Sequence, residues 1–191
     1  MKVICPWDAT DNLGLMRAAI RDPDPVMFLE NEMMYGIEFD VPAEEMDPNF
    51  VLPIGKAKVV REGTDVTITA FAKMVGFSLE AADILQRDHG LSCEVVNLRT
   101  IRPLDRPAII ESVKKTNRIV SVEEGWPQHG VGAEIAALLM ESEAFDHLDA
   151  PMERVAGADI PMPYSQSIER QAVPQVEDIV RAVLAATYRN K

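Results

Sequence analysis

The 191-residue chain carries 19 Lys and Arg against 31 Asp and Glu, a formal net charge of −12. That balance excludes nucleic acid, whose phosphates need clustered Lys and Arg, and opposes attachment to an anionic membrane surface. With 47% hydrophobic residues there is material for a real core, in one domain or one domain plus a fragment.

The elements follow in order. Lys2–Cys5 reads as a strand, broken by Pro6 and Trp7. Asp8 or Thr10 caps a helix whose apolar positions Leu13, Met16, Ala19 and Ile20 recur at helical spacing, and Asp22-Pro23-Asp24-Pro25 stops it. Val26–Glu30 reads as a buried strand, which completes a β–α–β unit with few neighbours for its two strands. Residues 31–53 lack periodicity and read as a long surface connector. From Ile54 the pattern is regular. Strands are predicted over 66–71, 92–97, 118–123 and 152–155, and helices over 77–87, 105–115, 131–140 and 176–187. This alternation implies parallel crossovers with helices on both faces of one sheet.

Cys5 and Cys93 sit far apart in apolar runs and read as buried reduced thiols. No apolar run reaches the ~18 residues of a membrane span, and the N-terminus lacks both signal-peptide and transit-peptide character, so the chain reads as soluble and intracellular. The run Gly125-Trp126-Pro127-Gln128-His129-Gly130-Val131-Gly132 joins a strand to a helix. It matches neither a dinucleotide fingerprint nor a P-loop, and close helix–sheet packing is favoured over a phosphate role. Glu123 and Glu124, adjacent on a strand, point to opposite faces and so do not share a substrate. His89, His129 and His147 lack metal-ligand spacing; of the three, only His129 lies in a plausible site loop. Ser121 and Ser165 lack a nucleophile elbow. Arg102, before a proline turn, suits either a bidentate carboxylate contact or a structural ion pair.

Seven segments, PWDATDNLGLMRAAIRD, LENEMMYG, LPIGKAKV, CEVVNLRTIRPLD, VEEGWPQHGVGAEI, LDAP and GADIPMPYS, occur in this order through most of the chain. Together they resemble the β subunits of pyruvate dehydrogenase E1, in the transketolase-like superfamily. Branched-chain 2-oxo acid and acetoin dehydrogenase β subunits are the close competitors. The resemblance implies an α/β fold. Residues 1–35 would be the remnant of a pyrimidine-binding domain, 36–55 a connector, and 56–191 a three-layer α/β/α transketolase C-terminal-like domain with a mostly parallel sheet.

It also implies a division of labour. Thiamine diphosphate and Mg²⁺ belong to the holoenzyme, at sites mostly outside this chain. The ring-activating glutamate is expected upstream and the GDG diphosphate motif on the α subunit, so no catalytic residue and no direct cofactor contact is expected here. A structural potassium ion is implied at Ala19, Ile20, Asp22 and Asp24. Asp24 stands where the family usually has Asn, and Pro23 is a second departure. An ordinary proline-broken helix end is the competing reading. The implied partners are an E1 α subunit in an α2β2 tetramer, a second β subunit, and the subunit-binding domain of the E2 acetyltransferase, contacted through Asp149 and Lys191. The location would be cytoplasmic in a bacterium and the mitochondrial matrix in a eukaryote. Two readings compete: a non-catalytic assembly module, and a stand-alone flavodoxin-like binding domain.

Overall fold

In the computed structural model, which describes residues 1–189, the organising element is β4 (Val66–Ala70). All five of its residues are buried, because it has a strand on each side and helices on both faces. β5 (Cys93–Asn97) and β7 (Ile119–Val122) flank it in parallel. β8 (Glu153–Val155) continues the sheet in parallel, and β3 (Lys58–Arg61) closes the opposite edge antiparallel to β5.

Side-chain alternation along these strands decides what each face packs against. Val66, Ile68, Cys93, Val95, Val120 and Val122 enter one core, with α2 (Lys73–His89) and α6 (Val176–Ala186). Val96 and Ile119 point the other way, towards α3 (Arg106–Thr116) and α4 (Val131–Met140). The result is a three-layer α/β/α domain with a mostly parallel sheet. Ile179 and Val183 of α6 are fully buried, each worth roughly 1.5–3 kcal/mol of transfer free energy.

Local chemistry sets the helix ends. Asp8 caps α1 (Ala9–Arg21), accepting from the Asp11 amide at 2.6 Å. Asp105 caps α3, accepting from the Ala108 amide at 3.5 Å. α2 ends at Gly90 with φ +64°, a left-handed cap suited to a residue without Cβ. The structure starts α2 at Lys73, four residues before its predicted start. Ala72 offers no side-chain cap, so nothing in the sequence marks that start.

A second, smaller sheet has the order β2-β1-β6, with β1 (Lys2–Ile4) parallel to β2 (Val26–Phe28) and antiparallel to β6 (Thr100–Arg102). The β–α–β unit is therefore joined by a strand from about a hundred residues downstream. β2 is shorter and less buried than expected: it is an edge strand with Met27 exposed. Residues 31–53 form a surface connector with two 3₁₀ turns, Glu32–Met34 and Ala43–Met46. Four further elements were not predicted: β3, β6, α5 (Gln166–Ala172) and a 3₁₀ turn at Glu143–His147. They are short, and α5 buries only Ala172.

Candidate functional site

The carboxyl ends of β4 and β7 are where a parallel sheet of this kind places its ligands. There the glycine loop runs into α4, whose Val131 and Gly132 amides, at the very start of the helix, have no helical partner. A carboxylate from the chain itself takes them. Glu123, 4% exposed, accepts from the Val131 amide through Oε2 and the Gly132 amide through Oε1, both at 2.9 Å. The helix dipole favours that negative charge. Gly132 is needed for this closeness, since a Cβ there would lie 2.5 Å from Ser121 Oγ and 3.0 Å from Glu123 Oε1. The loop is thus an internal carboxylate site, and its two best anion-binding amides are spent.

The two glutamates lie just past the end of β7 at Val122 rather than within the strand as expected, and Glu124 makes separate contacts. Its Oε1 pairs with Lys73 Nζ at 2.9 Å and its Oε2 accepts from Asn31 Nδ2 at 2.7 Å. This links the sheet end to the connector. His129 is exposed on the same loop with φ +60°, its Nε2 3.4 Å from Gln128 Nε2. Among the described residues, no group of three or more His, Cys, Asp or Glu is arranged to hold a metal.

The residues expected around a potassium ion fall at the end of α1. The Asp22 amide donates to the Ala19 carbonyl at 3.3 Å, while the Ile20 side chain is exposed. Asp22 and Asp24 are brought together by a cation already in the chain: Lys2 Nζ lies 2.6 Å from Asp22 Oδ1 and 3.1 Å from Asp24 Oδ2. The Lys2 hydrogen bond holds the Asp22 carboxyl below its usual pKa, helped by the Asp24 amide. The donor set suits a monovalent cation in its chemistry, but an ammonium occupies its carboxylates.

Asp149 sits on the other side of the molecule, half exposed, with Oδ2 3.3 Å from Arg118. Beside it is a groove of about 470 Å³ lined by Leu139, Met140, Phe145, Leu148 and Tyr188. The Tyr188 hydroxyl reaches the Asp149 carbonyl at 3.5 Å. An exposed carboxylate at the rim of an apolar groove suits a partner with basic and apolar groups together. Lys191 lies outside the described residues.

Cys5 and Cys93 are both buried and unpaired, and burial pushes their thiols up to about 11 and about 12. Arg102 is exposed on the small sheet. The buried arginine–carboxylate contact is made three residues earlier. Arg99 Nε donates to Asp11 Oδ1 at 2.6 Å, and Asn97 Nδ2 donates to Asp11 Oδ2 at 2.7 Å. Asp11 is fully buried, and that burial raises its carboxyl pKa while Arg99 pulls it back. Sequence reasoning missed this pair. An acid in the first turn of a helix looks like an ordinary dipole partner, and Arg99 reaches it from a left-handed backbone position, φ +57°.

The family model for the C-terminal domain of transketolase matches residues 55–179. The chain is 63% identical over 189 residues to the mitochondrial pyruvate dehydrogenase E1 component subunit beta-1 of Oryza sativa subsp. japonica, covering 99% of this chain and 50% of that protein. It is 63% identical over 190 residues to the corresponding mitochondrial subunit beta of Pisum sativum, covering 100% and 52%. With the Mus musculus subunit the identity is 56% over 183 residues, covering 96% and 51%. The chain spans about half the length of these relatives. A solved structure described as a split gene transketolase, inactive beta4 tetramer, superposes with a TM-score of 0.77 at 27% identity, covering 100% of this chain and 58% of that one.

Proposed function

The chain belongs to the transketolase C-terminal domain family, and on that premise we propose that it is the assembly half of the β subunit of a pyruvate dehydrogenase E1. The observation that carries this reading is the 63% identity to E1 β subunits along nearly the whole chain. In the complete enzyme, thiamine diphosphate supplies the electron sink for decarboxylating pyruvate, before a two-carbon unit passes to a lipoyl group of E2. The Val131 and Gly132 amides at the start of α4 already hold Glu123 and so are not open to the diphosphate. No catalytic residue and no direct cofactor contact is assigned.

The role of residues 56–191 is to build the interfaces with the α subunit and a second β subunit and to dock E2. Asp149 is the proposed E2 contact. Its groove supplies apolar area and its carboxylate a partner for basic E2 side chains. A potassium ion at Ala19, Ile20, Asp22 and Asp24 is part of the same reading, and its binding would displace Lys2 from the two carboxylates. The location follows the relatives named above, which are mitochondrial in eukaryotes. Among the described residues no helix is long and apolar enough to cross a membrane.

A second reading, a module that binds without catalysing, is favoured by the internal carboxylate at α4. Calorimetric titration with an E2 subunit-binding domain tests the docking. Saturable binding that Asp149→Asn weakens at least tenfold is expected; equal binding by the variant would sink Asp149 as the contact. Activity on mixing this chain with an α subunit alone would overturn the assembly-half reading.

A further inference from the structure

The groove at the other end of the molecule belongs to none of these roles. It is an open cleft of about 490 Å³ between α1 and the connector, lined mainly by Trp7, Leu13, Met16, Met34, Ile37 and Phe39. Trp7 and Phe39 meet edge to face across it, with centroids 5.7 Å apart. Met33, Tyr35 and Ile37 are exposed at and beside its rim, each more than half accessible.

The cleft itself is lined by one acid, Glu30, and one base, Arg17, but the connector that forms one of its walls is acidic throughout. Between Asp22 and Gly55 the sequence has nine carboxylates and no Lys, Arg or His. Asp22 and Asp24 are held by Lys2, Glu45 accepts from Thr10, and Glu30 accepts from the Tyr35 hydroxyl at 3.2 Å. Glu32, Glu38, Asp40, Glu44 and Asp47 are exposed and make no ion pair among the described residues. Arg17 borders the cleft, but its guanidinium is turned onto the Asp47 and Phe50 carbonyls, at 2.6 and 3.3 Å.

We propose that this cleft docks a cationic amphipathic segment of a partner protein. The apolar side chains of that segment would fill the cleft, and its Lys or Arg would face the unpaired carboxylates of the connector. Apolar anchors give affinity, and opposite charge gives orientation and on-rate. A second copy of this chain fits poorly, because it would bring another acidic connector within about a Debye length, roughly 10 Å at 0.1 M salt. The site is distinct from the groove at Asp149 and does not depend on the E1 reading.

A fluorescent amphipathic peptide of lysine and leucine is the probe, titrated by anisotropy and mapped by backbone amide shifts. One-to-one saturation is expected, with shifts concentrated in residues 7–16 and 31–40. Ile37→Ser, at an exposed position, is expected to weaken binding about tenfold, as is the double charge reversal Glu38→Lys, Asp40→Lys. A glycine–lysine peptide of equal charge is expected to bind at least tenfold more weakly. Unchanged affinity in Ile37→Ser, or shifts centred on residues 139–152, would overturn the proposal. So would concentration-dependent dimerisation through the cleft, since the occupant would then be a second copy. Loss of peptide binding in a chain extended to the length of its relatives would mean that the cleft is covered from within, and the proposal fails there too.

Discussion

Arg99→Met is the perturbation that reasons most directly from the structure. Arg99 and Asp11 are buried, and the pair joins α1 to the segment between β5 and β6. Methionine keeps much of the aliphatic volume but removes the counter-charge. A buried ion pair that loses one partner costs about 3–5 kcal/mol, because the remaining charge is stranded. For a chain of this size that is a fall of roughly 6–20 °C in Tm. The effect must also depend on pH. Burial already raises the Asp11 carboxyl, and without Arg99 nothing as strong opposes the rise. Below the unfolded value of about 3.9 the carboxyl is protonated in both states, and no charge is stranded. As pH rises past that value the unfolded chain ionises first and binds fewer protons than the native one, so native stability falls with pH. Urea unfolding of both proteins, followed by circular dichroism at pH 4 and pH 7, reads this out. The deficit of the variant is expected to be small at the lower pH and to approach its full size at the higher. A deficit under about 1 kcal/mol at neutral pH, or one of equal size at both, would refute the argument. Asp11→Asn in the Arg99→Met background is expected to recover part of the loss, because the stranded charge is gone.

Other consequences follow from single contacts. Glu123→Gln keeps one acceptor but loses the charge on the α4 amides, and a loss of about 1–3 kcal/mol is expected from chemical denaturation. Gly63→Ala places a Cβ against the backbone of Cys93 and Glu94 at the start of β5. Because backbone rather than a flexible side chain must move, a loss of about 2 kcal/mol or more is expected, seen as a lower Tm. Both thiols are buried with raised pKa values, so Ellman's reagent at pH 8 is expected to label neither in the native protein and both in urea. The Asp22 carboxyl is depressed by Lys2, so its contribution to stability is present above the unfolded value and fades as pH falls through the native one. Lys2→Met is expected to remove that fading, which acid titration of the two proteins compares.

Much of the architecture was legible in the sequence because the signals were local. Asp8 and Asp105 announced their helices. Gly90 announced the end of α2, and the β-branched runs at 66–70, 93–97 and 119–122 read as strands buried on both faces. Glu123 and Glu124 do take separate partners, but they lie past the end of β7, so the loop rather than the two-residue period of a strand sets their directions. Family resemblance in ordered segments pointed to the transketolase-type domain and to E1 β subunits, which the alignments support. Other features depend on residues distant in the chain. β6 exists because Thr100 and Arg102 meet Ile4 and Val3, and three residues carry no periodicity by themselves. Asp11 becomes a buried charge only when Arg99 meets it, from a left-handed backbone position. The α4 amides lose their capacity for an outside anion only when β7 delivers Glu123 beneath them. Composition and spacing determine which elements form and which face of each is apolar. Which polar groups those faces bring together was decided by tertiary structure, because a hydrogen bond acts over about 3 Å and constrains no sequence pattern.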